Sequence, residues 1–446
     1  MSWKTLALGA AMLFGTGTFA KGPVTNEGHY VFDSDKKFIK LFNKFEAITI
    51  DHMGDKGYEV YGPKGTGKWI ESLGIESINL EDEQSLNKNR TLFQDYPTPE
   101  AIEVELKKFA ASHPDIMKLE SLGKSIQGRD LWVVKISDNV NTDETEPEVK
   151  YIANMHGNEI VGRELMVILI RDILENYKKG DKRIVDLVNN REIYIVPTMN
   201  PDGSKSMRRG NAQWTDLNRD FPDFTTQDNT NTTDGRAPET QAIMKFQAQR
   251  KFALSANFHG GSEVVNYPWD TTSDHHPLEE LVVDLSTEYA SEVPGMHDSN
   301  RFPGGIVNGY RWYEVDGGMQ DWSYHWHGDL QVTVELSNTK WPDYSQIQSY
   351  YDKNRESLIK YLERVDQGLG FTSVDKGLRG TVEIQNLDNG KNIGSYPFGN
   401  GEYYKILEEG NYAFKVQASG KSWNFQRSVK FPSKVNNGNF VSLESL

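Results

Sequence analysis

The run Glu148-Val-Lys-Tyr-Ile-Ala153, continuing into Asn154-Met-His156-Gly-Asn-Glu159-Ile-Val-Gly162-Arg-Glu-Leu-Met166, decides how this chain is read. A short apolar run closed by turn-forming residues reads as a buried strand. The apolar spacing that follows reads as an amphipathic helix over Glu159–Tyr177. A strand feeding directly into a helix is half of a β-α unit, and open α/β sheets gather functional side chains at the carboxyl ends of their strands.

Outward from this stretch the same alternation persists. Leu131–Ile136, Glu192–Val196, Phe252–Phe258 and Gln331–Leu336 read as further strands, and Pro238–Arg250, Leu278–Ser291 and Gln346–Leu362 as helices. Near-continuous apolar strands separated by amphipathic helices predict an α/β fold, a central sheet flanked by helices, over residues 96–370. Thr98 as N-cap, Pro99 in the first turn, and Ile102, Leu106 and Phe109 on one face start that unit with a helix.

Both flanks differ in character. Residues 376–446 lack a helical period and carry short alternating runs (Leu378–Ile384, Tyr403–Ile406, Tyr412–Val416, Ser428–Phe431) between Asn-Gly and Gly-Asn turns, the pattern of a small β-sandwich. Residues 21–95 read as a small α+β segment, with helices over Lys36–Phe45 and Gly67–Leu73, strands over Tyr58–Tyr61 and Ser77–Leu80, and a polar linker from Glu81 to Asp95. Gly62-Pro-Lys-Gly-Thr-Gly67-Lys68 imitates a phosphate-binding loop but continues with Trp69 where a Ser or Thr is needed, so it reads as a turn. Residues 1–20 combine Lys4, an apolar stretch and the small-x-small triplet Thr18-Phe19-Ala20, the pattern of a signal peptide that directs a protein to the periplasm or outside the cell. No other stretch is long and apolar enough for a membrane span.

Composition narrows the chemistry. A net charge of −15 from 49 Lys plus Arg and 64 Asp plus Glu disfavours nucleic acid, which needs a positive field, and suits cationic substrates. With no cysteine, disulfides, thiol nucleophiles and Cys-ligated metals are excluded, and any metal site uses His, Asp or Glu. His156 and Glu159, three apart at a strand-to-helix junction, can face one metal. The pair alone is a weak signal. Phe258-His259-Gly-Gly adds a second His-Gly strand end and a third candidate ligand, and a catalytic zinc takes three protein ligands and keeps an open position. Each histidine taken alone reads more simply as a polar turn residue.

Between these stretches lie the turn Asn200-Pro-Asp-Gly203 and the run Arg208-Arg209…Asp216-Leu-Asn218-Arg219-Asp-Phe-Pro222. Guanidinium groups grip carboxylates, and an adjacent amide adds a neutral donor, so Asn218 and Arg219 suit a terminal carboxylate; a surface salt-bridge loop is the plainer alternative. Tyr313 begins a Gly- and aromatic-rich loop, and Glu335 is an acid inside an apolar strand, a costly placement unless it is paired or functional.

With these residues assembled, the chain resembles the funnelin zinc metallocarboxypeptidases, specifically the carboxypeptidase N/E branch. The resemblance rests on five motifs in order within residues 96–370: HGNE-x-VGREL, NPDG, DLNR-D-FPD, NFHGGS and GGMQDW. It implies a mixed eight-stranded sheet flanked by helices (the phosphorylase/hydrolase-like architecture), with a transthyretin-like β-sandwich after it. It also implies one Zn2+ per chain on His156, Glu159 and His259, Glu335 as general base and Arg209 polarising the scissile carbonyl. Asn218 and Arg219 are implied to bind the substrate's terminal carboxylate, with Tyr313 covering it. Asp270 matches the acid that faces a C-terminal Lys or Arg side chain in this branch, although Asp in Trp-Asp-Thr-Thr also reads as a turn cap. Gln320 is polar at a position where the branches differ. Residues 21–95 have no counterpart in the typical N/E branch and read either as an inhibitory pro-region or as a structural cover.

The expectation is an exported monomeric exopeptidase acting on peptide or protein C-termini. Two alternatives stay open at this level: trimming of cell-wall muropeptides at diaminopimelate, and a catalytically silent peptide-binding protein.

Overall fold

The computed structural model describes residues 22–45, 47–80, 95–430 and 439–446. The signal-like segment and all but the last residue of the polar linker lie outside the described residues.

Residues 22–80 form a four-stranded sheet from β1 (Glu27–Phe32), β2 (Thr49–Asp51), β3 (Gly57–Gly62) and β4 (Ser77–Asn79), in the order β2-β3-β1-β4. The helix expected over Lys36–Phe45 is shorter, Ile39–Phe42, and the phosphate-loop imitation becomes the start of the Thr66–Ser72 helix, which buries Trp69. The apolar face of this sheet does not close on itself. Val31, Phe42, Ile50, Tyr58, Val60 and Trp69 share one core with Val264, Phe302 and Trp312 of the following unit.

The central sheet has eight strands: β5 (Met117–Lys124), β6 (Asp130–Ile136), β7 (Glu148–Ala153), β8 (Glu192–Val196), β9 (Phe252–His259), β10 (Ser262–Tyr267), β11 (Ile306–Asn308) and β12 (Leu330–Ser337). Their order is β11-β10-β12-β9-β7-β8-β6-β5. The middle four, β12, β9, β7 and β8, are parallel, and antiparallel neighbours lie outside them. Every residue of the four is buried, as expected of a sheet covered on both faces. The Val161–Lys179 helix packs Leu165, Leu169, Ile170 and Ile173 into that core, and Tyr151 on β7 donates to the Leu358 carbonyl of the Ile347–Glu363 helix at 2.8 Å. Thr98 caps the Pro99–Ser112 helix through the Ala101 amide.

β5, β10 and β11 escape a reading by apolar runs for local reasons. β5 is an edge strand of mostly half-exposed residues, β10 is separated from β9 by only Gly260-Gly261, and β11 has three residues. The loop expected around residues 313–324 contains the helix Met319–His327, entered at Gly318 and ended at Gly328 with φ +71°.

β13 (Gly368–Thr372) begins inside the segment assigned by sequence to the α/β unit and runs two residues past its end at residue 370. It pairs instead with β16 (Glu402–Ile406) and β19 (Phe440–Ser442). Together with the sheet of β14 (Gly380–Asn386), β15 (Asn392–Phe398), β17 (Gly410–Ala418) and β18 (Lys421–Val429) it forms the C-terminal two-sheet unit. Lys405 ties this unit to its neighbour: its ammonium is buried 4.1 Å from the Tyr324 ring centroid and donates to the Gly328 carbonyl.

Candidate active site

The parallel strands deliver their carboxyl ends to one edge. β7 ends in the turn Asn154–Glu159, which Asn154 shapes at φ +56° by donating to the carbonyls of His156 (3.0 Å) and Glu159 (3.1 Å). Gly157 allows the next connection to touch this turn. A Cβ there would stand 2.1 Å from the Gly203 carbonyl carbon, in the short Pro201–Ser206 helix that Asn200 caps. His259 ends β9, and Glu335 on β12 lies beside it in register.

His156, Glu159 and His259 meet at this edge. The two Nδ1 atoms are 3.0 Å apart, and the Glu159 carboxylate lies 3.2 Å from His156 Nδ1 and 2.9 Å from His259 Nδ1. The outer ring nitrogens are engaged elsewhere: His156 Nε2 donates to Asp216 at 3.0 Å, and the Asn257 side-chain nitrogen lies 2.9 Å from His259 Nε2. His156 Nδ1, His259 Nδ1 and the Glu159 carboxylate thus converge on one point. A cation fits between such donors, and two imidazoles with one carboxylate are a zinc donor set. Glu335 Oε2 is buried and lacks a hydrogen-bond partner. All four side chains are no more than 4% exposed.

Arg209 and Asp216 bind the cluster from behind. Arg209 donates through Nε to Asp216 Oδ2 at 2.9 Å, and its Nη1 lies 3.2 Å from His156 Nδ1. Burial alone would raise the Asp216 carboxyl, but Arg209 and His156 outweigh it and hold the group well below the usual carboxylate range. Asn218 and Arg219 follow within three residues, both half-buried. Arg219 Nη2 donates to the Ile50 carbonyl at 3.2 Å, and Asn218 Oδ1 accepts from the Met319 amide at 3.1 Å.

Asp270 is buried nearby. Its carboxylate accepts from the side chains of Asn266 (3.0 Å) and Gln320 (3.1 Å), while the turn amides of Asp270 and Thr271 donate to Asp321. The turn is therefore capped by Asp321, and the Asp270 carboxylate faces the other way. Gly318 leaves open the space between them: a Cβ there would stand 3.8 Å from both Asn218 Oδ1 and Asp270 Oδ2. Burial pushes the Asp270 carboxyl up to about 7.

The structure thus brings all nine residues singled out by sequence to one edge of the sheet. It adds four that pattern reasoning did not select. Asp216 sits inside the quoted DLNR run, and its position between Arg209 and Asn218 was the available signal. Asn257 lies two residues before His259. Asp51 and His52 carry no motif at all: Asp51 accepts from Arg209 Nη1 and from the Tyr313 hydroxyl (2.8 Å), and His52 Nε2 lies 3.9 Å from both Glu159 Oε1 and Glu335 Oε2.

If Asp216 fixes the His156 tautomer, Asp216→Asn weakens zinc binding about 10–100-fold, the usual effect of losing a ligand's outer hydrogen bond. Competition with a chromophoric chelator on the folded variant checks this, and an unchanged affinity counts against the role.

Comparison with known proteins agrees with this geometry. A zinc carboxypeptidase family model matches residues 102–357. The chain is 38% identical over 353 residues to carboxypeptidase D of Homo sapiens, covering 72% of this chain and 25% of that protein, so it spans about a quarter of that relative's length. It is also 38% identical over 370 residues to carboxypeptidase SOL1 of Arabidopsis thaliana, covering 81% of this chain and 70% of that one. Among solved structures, carboxypeptidase A from Helicoverpa armigera shares the fold with a TM-score of 0.59 at 17% identity, over 78% of this chain and 98% of that one. By the family match and the identity to its relatives, this chain belongs to the zinc carboxypeptidase family.

Proposed function

We propose that this chain is an exported zinc-dependent carboxypeptidase that removes Lys or Arg from the C-termini of peptides and proteins. The observation that carries the reading is the convergence of His156, Glu159 and His259 beside Glu335, Arg209 and the Asn218–Arg219 pair, in a member of this family.

When bound, Zn2+ supplies Lewis acidity that lowers the pKa of a water and polarises a carbonyl. The protein's own groups do the rest. Glu335 Oε2, buried and without a partner, takes the proton of the attacking water. Arg209 stabilises negative charge growing on the scissile carbonyl oxygen. As the C–N bond breaks, Glu335 returns the proton to the leaving amine. Asn218, Arg219 and Tyr313 hold the free carboxylate, which limits hydrolysis to the last peptide bond.

Asp270 supports the side-chain preference. It is an acid without an ion-pair partner among the described residues, and Gly318 opens the space that separates it from Asn218. A cavity of about 800 Å3 beside Arg219 is also lined by Asp223, Asp228, Glu314 and Asp316, an acidic excess that favours a cationic substrate. The signal-like residues 1–20 support export, and the charge of −15 suits a chain that works as a monomer.

Glu335→Gln keeps its zinc content and loses about 10^2–10^4-fold in kcat for release of a C-terminal Lys. Metal analysis beside a peptide assay separates the two effects, and retained turnover sinks the assignment. Asp270→Asn lowers kcat/KM for Lys peptides roughly 30-fold or more, since it removes a buried charge partner, and leaves Leu peptides less affected. Because the ionised form of Asp270 is the one that attracts a cation, the wild-type preference for Lys over Leu rises with pH through about 7. A muropeptide ending in diaminopimelate, assayed in parallel, tests whether the amine is read on a different backbone. Export predicts a mature N-terminus at Lys21, which N-terminal sequencing of the secreted protein checks, and sedimentation of that protein at the mass of one chain.

A further inference from the structure

Trp214 holds φ +67°, in the left-handed region that a bulky residue adopts only when its surroundings enforce it. It stands in the connection from Arg209 to Asp216, so the backbone between two groups beside His156 runs through a disfavoured turn. Part of the enforcement is local. Asn211 Oδ1 closes the turn by accepting from the Thr215 amide at 3.0 Å, and the Arg208 guanidinium stacks 3.9 Å from the indole centroid.

The remainder comes from a distant piece of chain. Residues 22–25 lie along residues 214–220 as a strap. Thr25, itself 2% exposed, donates twice to the Trp214 carbonyl, through its amide at 2.8 Å and its hydroxyl at 3.0 Å. Val24 forms a β-bridge with Thr215, and the Pro23 carbonyl accepts from the Asp216 amide at 3.0 Å. The Gly22 amide donates to Asp220 Oδ1 at 2.8 Å. The fit is close at both ends. A Cβ on Gly22 would stand 2.7 Å from the Asp216 carbonyl oxygen, and one on Gly210 would stand 2.8 Å from the Thr25 hydroxyl. Asp220 also accepts from the Ala237 amide at 2.8 Å, which ties the strap to the start of the Pro238–Ala248 helix.

Asp216 is where this packing meets the site. Its main chain is held by Pro23, while its carboxylate accepts from His156 Nε2 at 3.0 Å, Arg209 Nε at 2.9 Å and the Asn218 amide at 3.0 Å. One side chain thus orients a metal donor, the carbonyl-polarising guanidinium and the turn that carries Asn218 and Arg219. Its direction follows from the backbone beneath it, and hydrogen bonds weaken steeply as they bend.

We propose that residues 22–25 are a positioning strap for the metal site: by holding the strained Trp214 turn, Gly22 and Thr25 aim the Asp216 carboxylate at His156 and Arg209. The proposal rests on the zinc-site reading above and deepens it, giving residues that precede the first strand a part in metal binding.

The test uses the full chain loaded with Zn2+ and reads how fast a chelator removes the metal, with circular dichroism reporting the fold. Thr25→Val keeps the shape and the amide bond but loses the hydroxyl bond. Gly22→Val sets a side chain against the Asp216 carbonyl. Losing a ligand's outer hydrogen bond outright weakens a site about 10–100-fold, so a displaced Asp216 is expected to speed metal loss by less, roughly 3–10-fold, in both variants. Trp214→Asn provides the control, because Asn accepts left-handed backbone far more readily and frees the turn from its need of the strap. In that background Thr25→Val is expected to speed metal loss less than about twofold, since the two changes act on one element and do not add. A group that only stabilised the fold would lower the melting temperature in either background and leave the rate of metal loss unchanged. Metal loss at the wild-type rate in both single variants overturns the proposal, as does equal acceleration by Thr25→Val with and without Trp214→Asn. The near-isosteric Thr25→Val keeps the test decisive if Gly22→Val fails to fold. A wild-type chain that takes up no zinc instead fails the zinc-site reading, and the strap's role with it, a result distinct from tight binding that no strap variant alters.

Discussion

Two imidazole lone pairs and a carboxylate brought within about 3 Å of one another inside a protein repel, and burial strengthens that repulsion because little solvent screens it. A cation standing among its members relieves that repulsion. Much of the surrounding structure serves that constraint. Asn154 holds the turn that aims His156 and Glu159 together, while Asp216 and Asn257 engage the outer ring nitrogens and fix the orientation of the two rings. The parallel pairing of β12, β9 and β7 sets the ends of three distant segments side by side. Stability and metal affinity are therefore coupled here: a change in any of these positioning groups acts on both.

The N-terminal unit follows a different logic. Its sheet is too small to bury its own apolar face, and it completes its core on Val264, Phe302 and Trp312. That docking fixes where β2 ends. Burying Asp51 against Arg209 costs desolvation of both charges, offset by the second carboxylate, Asp216, on the same guanidinium and by the Tyr313 hydroxyl on Asp51. The interface between the two units draws on Arg209, Arg219 and Tyr313, the donors that the proposed function assigns to the substrate.

Most of the α/β layer was legible because its strands are covered on both faces and so appear as unbroken apolar runs; β7 and β8 match their sequence limits residue for residue. The elements that were missed lack that signal. β5 is half-exposed, β11 is too short to show a period, and β13 is apolar enough to pass as the end of the preceding unit although its partners are β16 and β19. The Met319–His327 helix hid behind Gly317-Gly318 and its aromatic residues, which resemble a loop until Gly318 is seen as its N-cap.

For the site, His156, Glu159, His259, Asn218, Arg219 and Glu335 carried chemical signals of their own, whereas the parts given to Arg209, Asp270 and Tyr313 came with the resemblance to the family, through motifs in chain order. Family, donor set and reaction class were thus written locally. Asp51 and His52 were not, since nothing within several residues of them departs from an ordinary strand end. Their place beside the site arises from the docking of the N-terminal unit, whose residues 51 and 52 precede His156 by more than a hundred residues of chain. Only the tertiary structure decides that contact, because it depends on which apolar faces find each other, and apolar burial is non-directional: it names the faces to be covered in the sequence without naming what will cover them.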